Sequence, residues 1–311
     1  MLDTSLSEKL DAAWGNPEHW VANGLQWTHL DEIGTLINRR VSGDPHTSPL
    51  QWFAQHLAAA NALPLRRALV LGCGGGRIER ELHEKGWAQE IVAFDLSPKV
   101  LDVARNAAAG IDAISYVLAS MDNLPVGQAP FLPGSFDAVL GIASVHHCSE
   151  LGMLYASISK LLAPDGWFFM DEYVGPDRSQ YTASHMDQVT ALADLLPARL
   201  LTTRSGAVKR GFRAPTVAEV VAVDPSEAVH SSQILPALAS YFDIVAQRPY
   251  GGSLLHVLLA GIGQNFQPEE AKPWLQALID AEEEHDRLGR LEHHFSCIIA
   301  RPAHPRTAAT R

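Results

Sequence analysis

Cysteine is scarce in these 311 residues: Cys73, Cys148 and Cys297 stand far apart, with no CxxC pair. That excludes a disulfide framework and the common cysteine-based zinc sites. Basic residues are also few, 24 Lys and Arg against 35 Asp and Glu, a formal net charge of −11. A chain short of positive charge has little with which to neutralise phosphates, so nucleic acid is not the expected partner. Long apolar runs are missing too. The longest, residues 254–262, is broken by His256 and falls well short of the ~20 residues that cross a bilayer. The N-terminus lacks a basic stretch followed by an apolar one, so no secretory signal is read; a soluble cytoplasmic protein with no membrane partner is expected. No internal repeat or low-complexity segment appears. What is present, 47% hydrophobic and 19% charged residues, is a globular composition of a size for one elaborated α/β domain or two domains.

The first 60 residues hold four of the seven tryptophans (Trp14, Trp20, Trp27, Trp52). Their apolar spacing through Trp27, Leu30, Ile33, Leu36 and Ile37 predicts helices. The period then changes. Short apolar runs at 67–71, 91–95, 114–118, 136–141 and 166–172 read as buried parallel strands. Helices fit between them: 78–85, one opening at Ser97-Pro98 with Ser97 as N-cap, and 151–162. Such alternation means βαβ units with right-handed crossovers. It stops after residue 175. Residues 176–240 read as an insertion of helices and loops, with helices at 182–196 and 216–223 and another opening at Asp224-Pro225-Ser226. Strands at 242–247 and 295–300, with helices at 254–263 and 269–288, complete the sheet. The expected units are an N-terminal helical cover (1–60), a core (61–175), a lid-like insertion (176–240), closing strands and helices (241–302) and a tail (303–311).

The sharpest motif is Leu71-Gly72-Cys73-Gly74-Gly75-Gly76-Arg77, set between a strand and a helix. Glycine is required where the turn needs unusual dihedrals and where a ligand approaches the main chain. The dinucleotide fingerprint GxGxxG would place its third glycine at Arg77; the spacing here is GxGxG. The next strand ends in Asp95, about twenty residues on, where an acid can accept ribose hydroxyls. This fits an adenosine ligand without a pyrophosphate. A nicotinamide oxidoreductase, the remote alternative, is disfavoured by Arg77.

The chain resembles class I S-adenosylmethionine-dependent methyltransferases over residues 60–175. The resemblance rests on residues 68–76, Phe94-Asp95-Leu96-Ser97, residues 120–125, 135–140, Val145-His146-His147 and residues 161–167, in the family's order and spacing. It implies a Rossmann-like seven-stranded, mostly parallel sheet with an antiparallel last strand, and S-adenosylmethionine as cofactor. Gly72, Gly74 and Gly76 would face its methionine and ribose, Asp95 the ribose hydroxyls and Leu96 the adenine. Ser120 and Met121 take the adenine edge, and Gly141 and Ile142 offer main-chain groups to the amine. Two positions depart from the family: Val70 stands where an acid is common, and Ser120 where Asp is common. These departures motivate a second reading, a cofactor-binding sensor or assembly module without catalysis.

The loop Gly141–His147 lacks the Asn/Asp-Pro-Pro-Tyr of enzymes that methylate amide or exocyclic nitrogens, and resembles the small-molecule branch. A small-molecule acceptor is the expected partner. His146 and His147 are candidate bases, since imidazole takes a proton near neutral pH. Glu172, Tyr173 and His256 are candidate substrate-binding residues. The basic cluster Arg204, Lys209, Arg210 and Arg213 reads either as a solvated face or as a site for an acidic substrate. Arg39 or Arg40 is expected to pair with the cofactor carboxylate, unless the N-terminal helices form a homo-oligomer contact instead. The remaining histidines, His285, His293 and His294, show no paired ligand spacing, and no metal is expected.

Overall fold

The computed structural model describes residues 7–9, 11, 14–15 and 26–303. Trp20 and the tail beyond Ala303 lie outside them. Helices α1 (Asp31–Ser42) and α2 (Pro49–Ala59) precede the sheet. Ser48 and Gln51 close a reciprocal capping box on α2, with Pro49 in its first turn. The core follows as β1 (Leu65–Leu71), α3 (Arg77–Glu84), β2 (Ala88–Asp95), α4 (Pro98–Ala107), β3 (Ile114–Leu118), β4 (Phe136–Ile142), α5 (Leu151–Leu161) and β5 (Leu162–Tyr173). The insertion carries α6 (Ala183–Asp194), α7 (Val217–Val223) and α8 (Ile234–Leu238). Strand β6 (Phe242–Gly252), α9 (Ser253–Leu259), α10 (Lys272–Arg287) and β7 (His293–Pro302) complete the chain.

The strands form one seven-stranded sheet in the order β3-β2-β1-β4-β5-β7-β6. β1 to β5 pair in parallel, and β7 runs antiparallel to both neighbours. Seven strands, a mostly parallel sheet and an antiparallel last strand are as expected. Alternate side chains of each strand enter two separate cores. Val70, Ala93, Leu140, Phe169 and Ile299 face one side; Leu71, Phe94, Val139, Phe168 and Ile298 face the other. The first face is closed by α1, α2, α9 and α10, with Phe53 of α2 stacked on Phe169 at 4.7 Å. Helices α1 and α2 are thus built into the core: Ile33, Leu36 and Phe53 are each 1% exposed or less, and burial of such side chains stabilises by about 1.5–3 kcal/mol apiece.

Ser97 caps α4 through the Val100 N–H at 3.2 Å, with Pro98 following, as the sequence suggests. Asp224-Pro225-Ser226 does not open a helix. It is a turn in which Asp224 Oδ1 accepts from the N–H of Ser226 at 2.7 Å and from its hydroxyl at 2.6 Å. No helix among the described residues is long and apolar enough to cross a membrane.

Candidate functional site

Between β1 and β4 the strand order reverses, and in an open α/β sheet ligands bind at the carboxyl ends there. A cavity of about 380 Å³ lies at that point, within the size range of small-molecule sites. The glycine loop forms its floor. Gly72 has φ +56°, and a Cβ there would stand 2.8 Å from that of Ser144, in the loop after β4. Gly76 has φ +71° and a Cβ would strike the Tyr116 hydroxyl, so this glycine serves helix packing; it is not on the cavity wall. Asp95 ties the loop to β2. Its Oδ2 accepts the Gly74 N–H at 3.1 Å and its Oδ1 the Ser97 N–H at 3.0 Å. Burial nevertheless pushes its carboxyl above the ordinary range.

The wall contains Gly72, Gly74, Asp95, Leu96, Ser120, Met121, Ile142 and His147 of the expected residues. Gly141 stands just behind it, where a Cβ would meet Val145 at 2.7 Å. Ser120 accepts from the Asp122 N–H at 3.2 Å. Asp122 itself is committed to the turn before α5, accepting from the N–H groups of Ser149 at 2.8 Å and Glu150 at 3.0 Å. Beneath the loop, Glu79 of α3 is fully buried and neither carboxylate oxygen meets a donor among the described residues. Burial raises its pKa to about 7.

Several expected residues lie elsewhere. Arg40 does not reach the cavity. Its Nη1 donates to Glu282 at 2.8 Å and to the Tyr250 carbonyl at 2.9 Å, a buried pair joining α1, α10 and β6 at the far edge of the sheet. Arg39 pairs with Glu283 in solvent. Tyr173 and His256 pack with Phe295 in an aromatic cluster rather than on the cavity wall. Burial, reinforced by His294 and Lys209, lowers the His256 pKa to about 4. Of the basic cluster, Lys209 donates to the Val257 and Ala260 carbonyls, Arg210 faces Asp194, and Arg213 pairs with Glu219. These three side chains are held by groups of the chain itself.

Glu172 is an anchor, not a wall residue. It is 1% exposed, and its Oε1 accepts the N–H groups of Ser144 and Val145 at 2.6 Å each. Its Oε2 lies 2.8 Å from His146 Nδ1. Burial alone pulls the His146 imidazole down, but the Glu172 carboxylate outweighs it and the pKa rises to about 9. Burial and the adjacent His146 charge lower that of His147.

Trp14, Asp224 and Ser226 were missed in the sequence. Trp14 and Ser226 line the cavity beside His147, and Trp14 Nε1 donates to Asp224 Oδ2 at 2.6 Å. His147 Nδ1 is 3.0 Å from Ser226 Oγ. The Asp-Pro-Ser signal was visible, but its partners lie about 80 and 210 residues away.

Residues 69–170 match the family model described as a methyltransferase domain. The ubiquinone biosynthesis O-methyltransferase of Xanthomonas campestris pv. campestris is 31% identical over 160 residues, 50% of this chain and 64% of that protein. Its counterpart from Xanthomonas axonopodis pv. citri is 28% identical over 162 residues, 49% of this chain and 63% of that protein. The chain therefore spans less than two thirds of these relatives. The solved phosphoethanolamine N-methyltransferase 2 of Haemonchus contortus, in complex with S-adenosyl-L-methionine, has 17% identity and a TM-score of 0.51. That likeness covers 96% of this chain and 60% of the other, and it is one of fold. The glycine loop, the acid ending β2 and the sheet order agree with that match of residues 69–170 to a methyltransferase domain.

Proposed function

We propose that the protein transfers a methyl group from S-adenosylmethionine to the oxygen of a small-molecule acceptor. The observation that carries this reading is the cavity at the switch point, walled by the glycine loop, Asp95 and the loop after β4. The residues present fit the cofactor. Each Asp95 oxygen accepts one main-chain N–H and keeps a lone pair for a ribose hydroxyl. Across the cavity, the buried Ser144 hydroxyl has no partner among the described residues. It would answer part of the need left by Val70 for a polar group at the cofactor amine. Bound there, S-adenosylmethionine supplies an electrophilic methyl group, and its transfer is an in-line displacement governed by the placing of two reactants. The chain contributes that placing. Trp14 and Ser226 add to the wall beside His147 and take up space that water would otherwise fill. Of the two expected bases, His147 stands on the wall and His146 behind it. The choice of oxygen as acceptor is supported by the names of the Xanthomonas relatives.

Calorimetry with S-adenosylhomocysteine tests the reading. The wild type should bind it, and Asp95→Ala should bind at least about tenfold more weakly, the loss of a charge-assisted hydrogen-bond acceptor. No binding, with tight NAD binding instead, would overturn it. The non-catalytic alternative rests on the departures at Val70 and Ser120, and Ser120 Oγ accepts the Asp122 N–H at 3.2 Å. Isotopically labelled donor incubated with a cell extract separates the two, since a sensor labels nothing.

A further inference from the structure

Beside the cavity, the loop after β4 and the insertion bring His146, His147 and Glu227 together. One nitrogen of each imidazole and a carboxylate oxygen of Glu227 lie within 4.8 Å of one another. His147 Nε2 stands 4.0 Å from Glu227 Oε2, and the two imidazole rings are 4.2 Å apart. The outer contacts settle which nitrogens are free. His146 Nδ1 faces Glu172 Oε2 at 2.8 Å, and that carboxylate is already held by two main-chain N–H groups. The Ser226 hydroxyl donates to Asp224 Oδ1 at 2.6 Å, so Ser226 Oγ accepts from His147 Nδ1–H. Both imidazoles thereby turn Nε2 to the site, and on His146 the ion takes the place of the proton that the Glu172 carboxylate otherwise keeps there. Fixing a histidine ligand through its other nitrogen, by a carboxylate or a hydroxyl backed by one, is how metal sites orient their ligands.

Charge points the same way. Glu172, Asp224 and Glu227 place three carboxylates around two imidazoles. The neighbouring Arg178 directs its Nη1 to the carbonyls of Pro225 and Glu227. The cluster is rich in negative charge and donor atoms, a setting for a divalent cation. Two imidazoles with one carboxylate suit zinc, cobalt, iron or manganese better than magnesium or calcium. Donors around such an ion stand about 3–4 Å apart, within reach of a small movement of the half-exposed Glu227 side chain.

We propose that His146, His147 and Glu227 form a three-ligand divalent-metal site whose open positions hold the acceptor by an oxygen atom. The acceptor role rests on the methyl-transfer reading; binding of the ion does not. In that role the ion lowers the pKa of the coordinated hydroxyl, whose proton leaves to solvent. The oxygen then forms a bond to the donor's methyl carbon as the carbon–sulfur bond breaks, leaving a neutral thioether. The acceptors favoured are those with an acidifiable hydroxyl flanked by a second donor atom.

The full-length protein, stripped with a chelator, is titrated with zinc by calorimetry and with cobalt(II) by visible absorption. One equivalent should bind, with the intense d–d bands of a low-coordinate site. His147→Ala and the partly exposed Glu227→Gln should each weaken binding at least about tenfold. The His185→Ala variant serves as control, because His185, Glu292 and His294 form the other cluster of this kind among the described residues. Its cobalt spectrum should equal the wild type's. Absence of stoichiometric binding, binding undiminished in both variants, or loss of the bands in His185→Ala would each overturn the site. S-adenosylhomocysteine binding is measured on the same samples. If it persists while metal fails, only this proposal falls; if it is absent while metal binds, the ion site stands and the methyl-transfer reading falls.

Discussion

The two sides of the cavity are built by different means. On the glycine-loop side the wall comes from segments immediately following β1, β2 and β3, held by main-chain geometry at Gly72 and by Asp95. On the histidine side it comes from Trp14, His147 and Ser226, brought together by the buried carboxylates Glu172 and Asp224. The first side is therefore sensitive to an added Cβ, the second to a removed charge. A strand end places a loop almost by itself, whereas a charge network holds only while every member is present.

The largest effect is expected at Glu172→Ala. It leaves the N–H groups of Ser144 and Val145 and the His146 imidazole without their acceptor. Removing one member of a buried charged pair costs about 3–5 kcal/mol. Urea titration should show it, and a loss below about 1 kcal/mol would mean the histidine side is not held by this carboxylate.

Glu79 probes the other side. Its pKa is raised from 4.5 to about 7 by burial, so folding takes up a proton between those values. Stability is complete below pH 4.5 and declines as pH rises through 7, by about 3 kcal/mol in all. Glu79→Gln cannot ionise, so its melting temperature should exceed the wild type's near pH 8.5 and approach it near pH 4.5. An equal difference at both values would show that the carboxyl does not titrate in this range. The smallest change belongs to Ser226→Ala, about 2 kcal/mol for the bond accepted from His147 together with the charge-assisted one donated to Asp224. A fall as large as that of Glu172→Ala would erase the distinction between an anchor and a relay.

The glycine-loop side could be read from sequence because its causes are local. A glycine run stops β1, Ser97-Pro98 starts α4, and short continuous apolar runs mark the buried parallel strands. The histidine side could not, because its causes are distant. Alternation along β5 turns Glu172 toward the Phe168 and Met170 face, beneath the loop after β4, and Tyr173 toward the Phe169 face. From the sequence both merely follow the strand. Arg40 fails for the same reason: its partner Glu282 is 242 residues on, and no local pattern announces it.

The position of β7 has a consequence for synthesis. Strands β1 to β5 pair with neighbours already made, so that part of the sheet can zip up as the chain emerges. β6 leaves the ribosome with no partner, because the strand it needs on one side, and β5 needs on the other, is made about 40 residues later. Until residue 302 has appeared, β5 presents an open edge to any other unpaired strand, the hazard that favours misassociation of nascent chains. One strand, by entering last and in the middle, closes two edges in a single step.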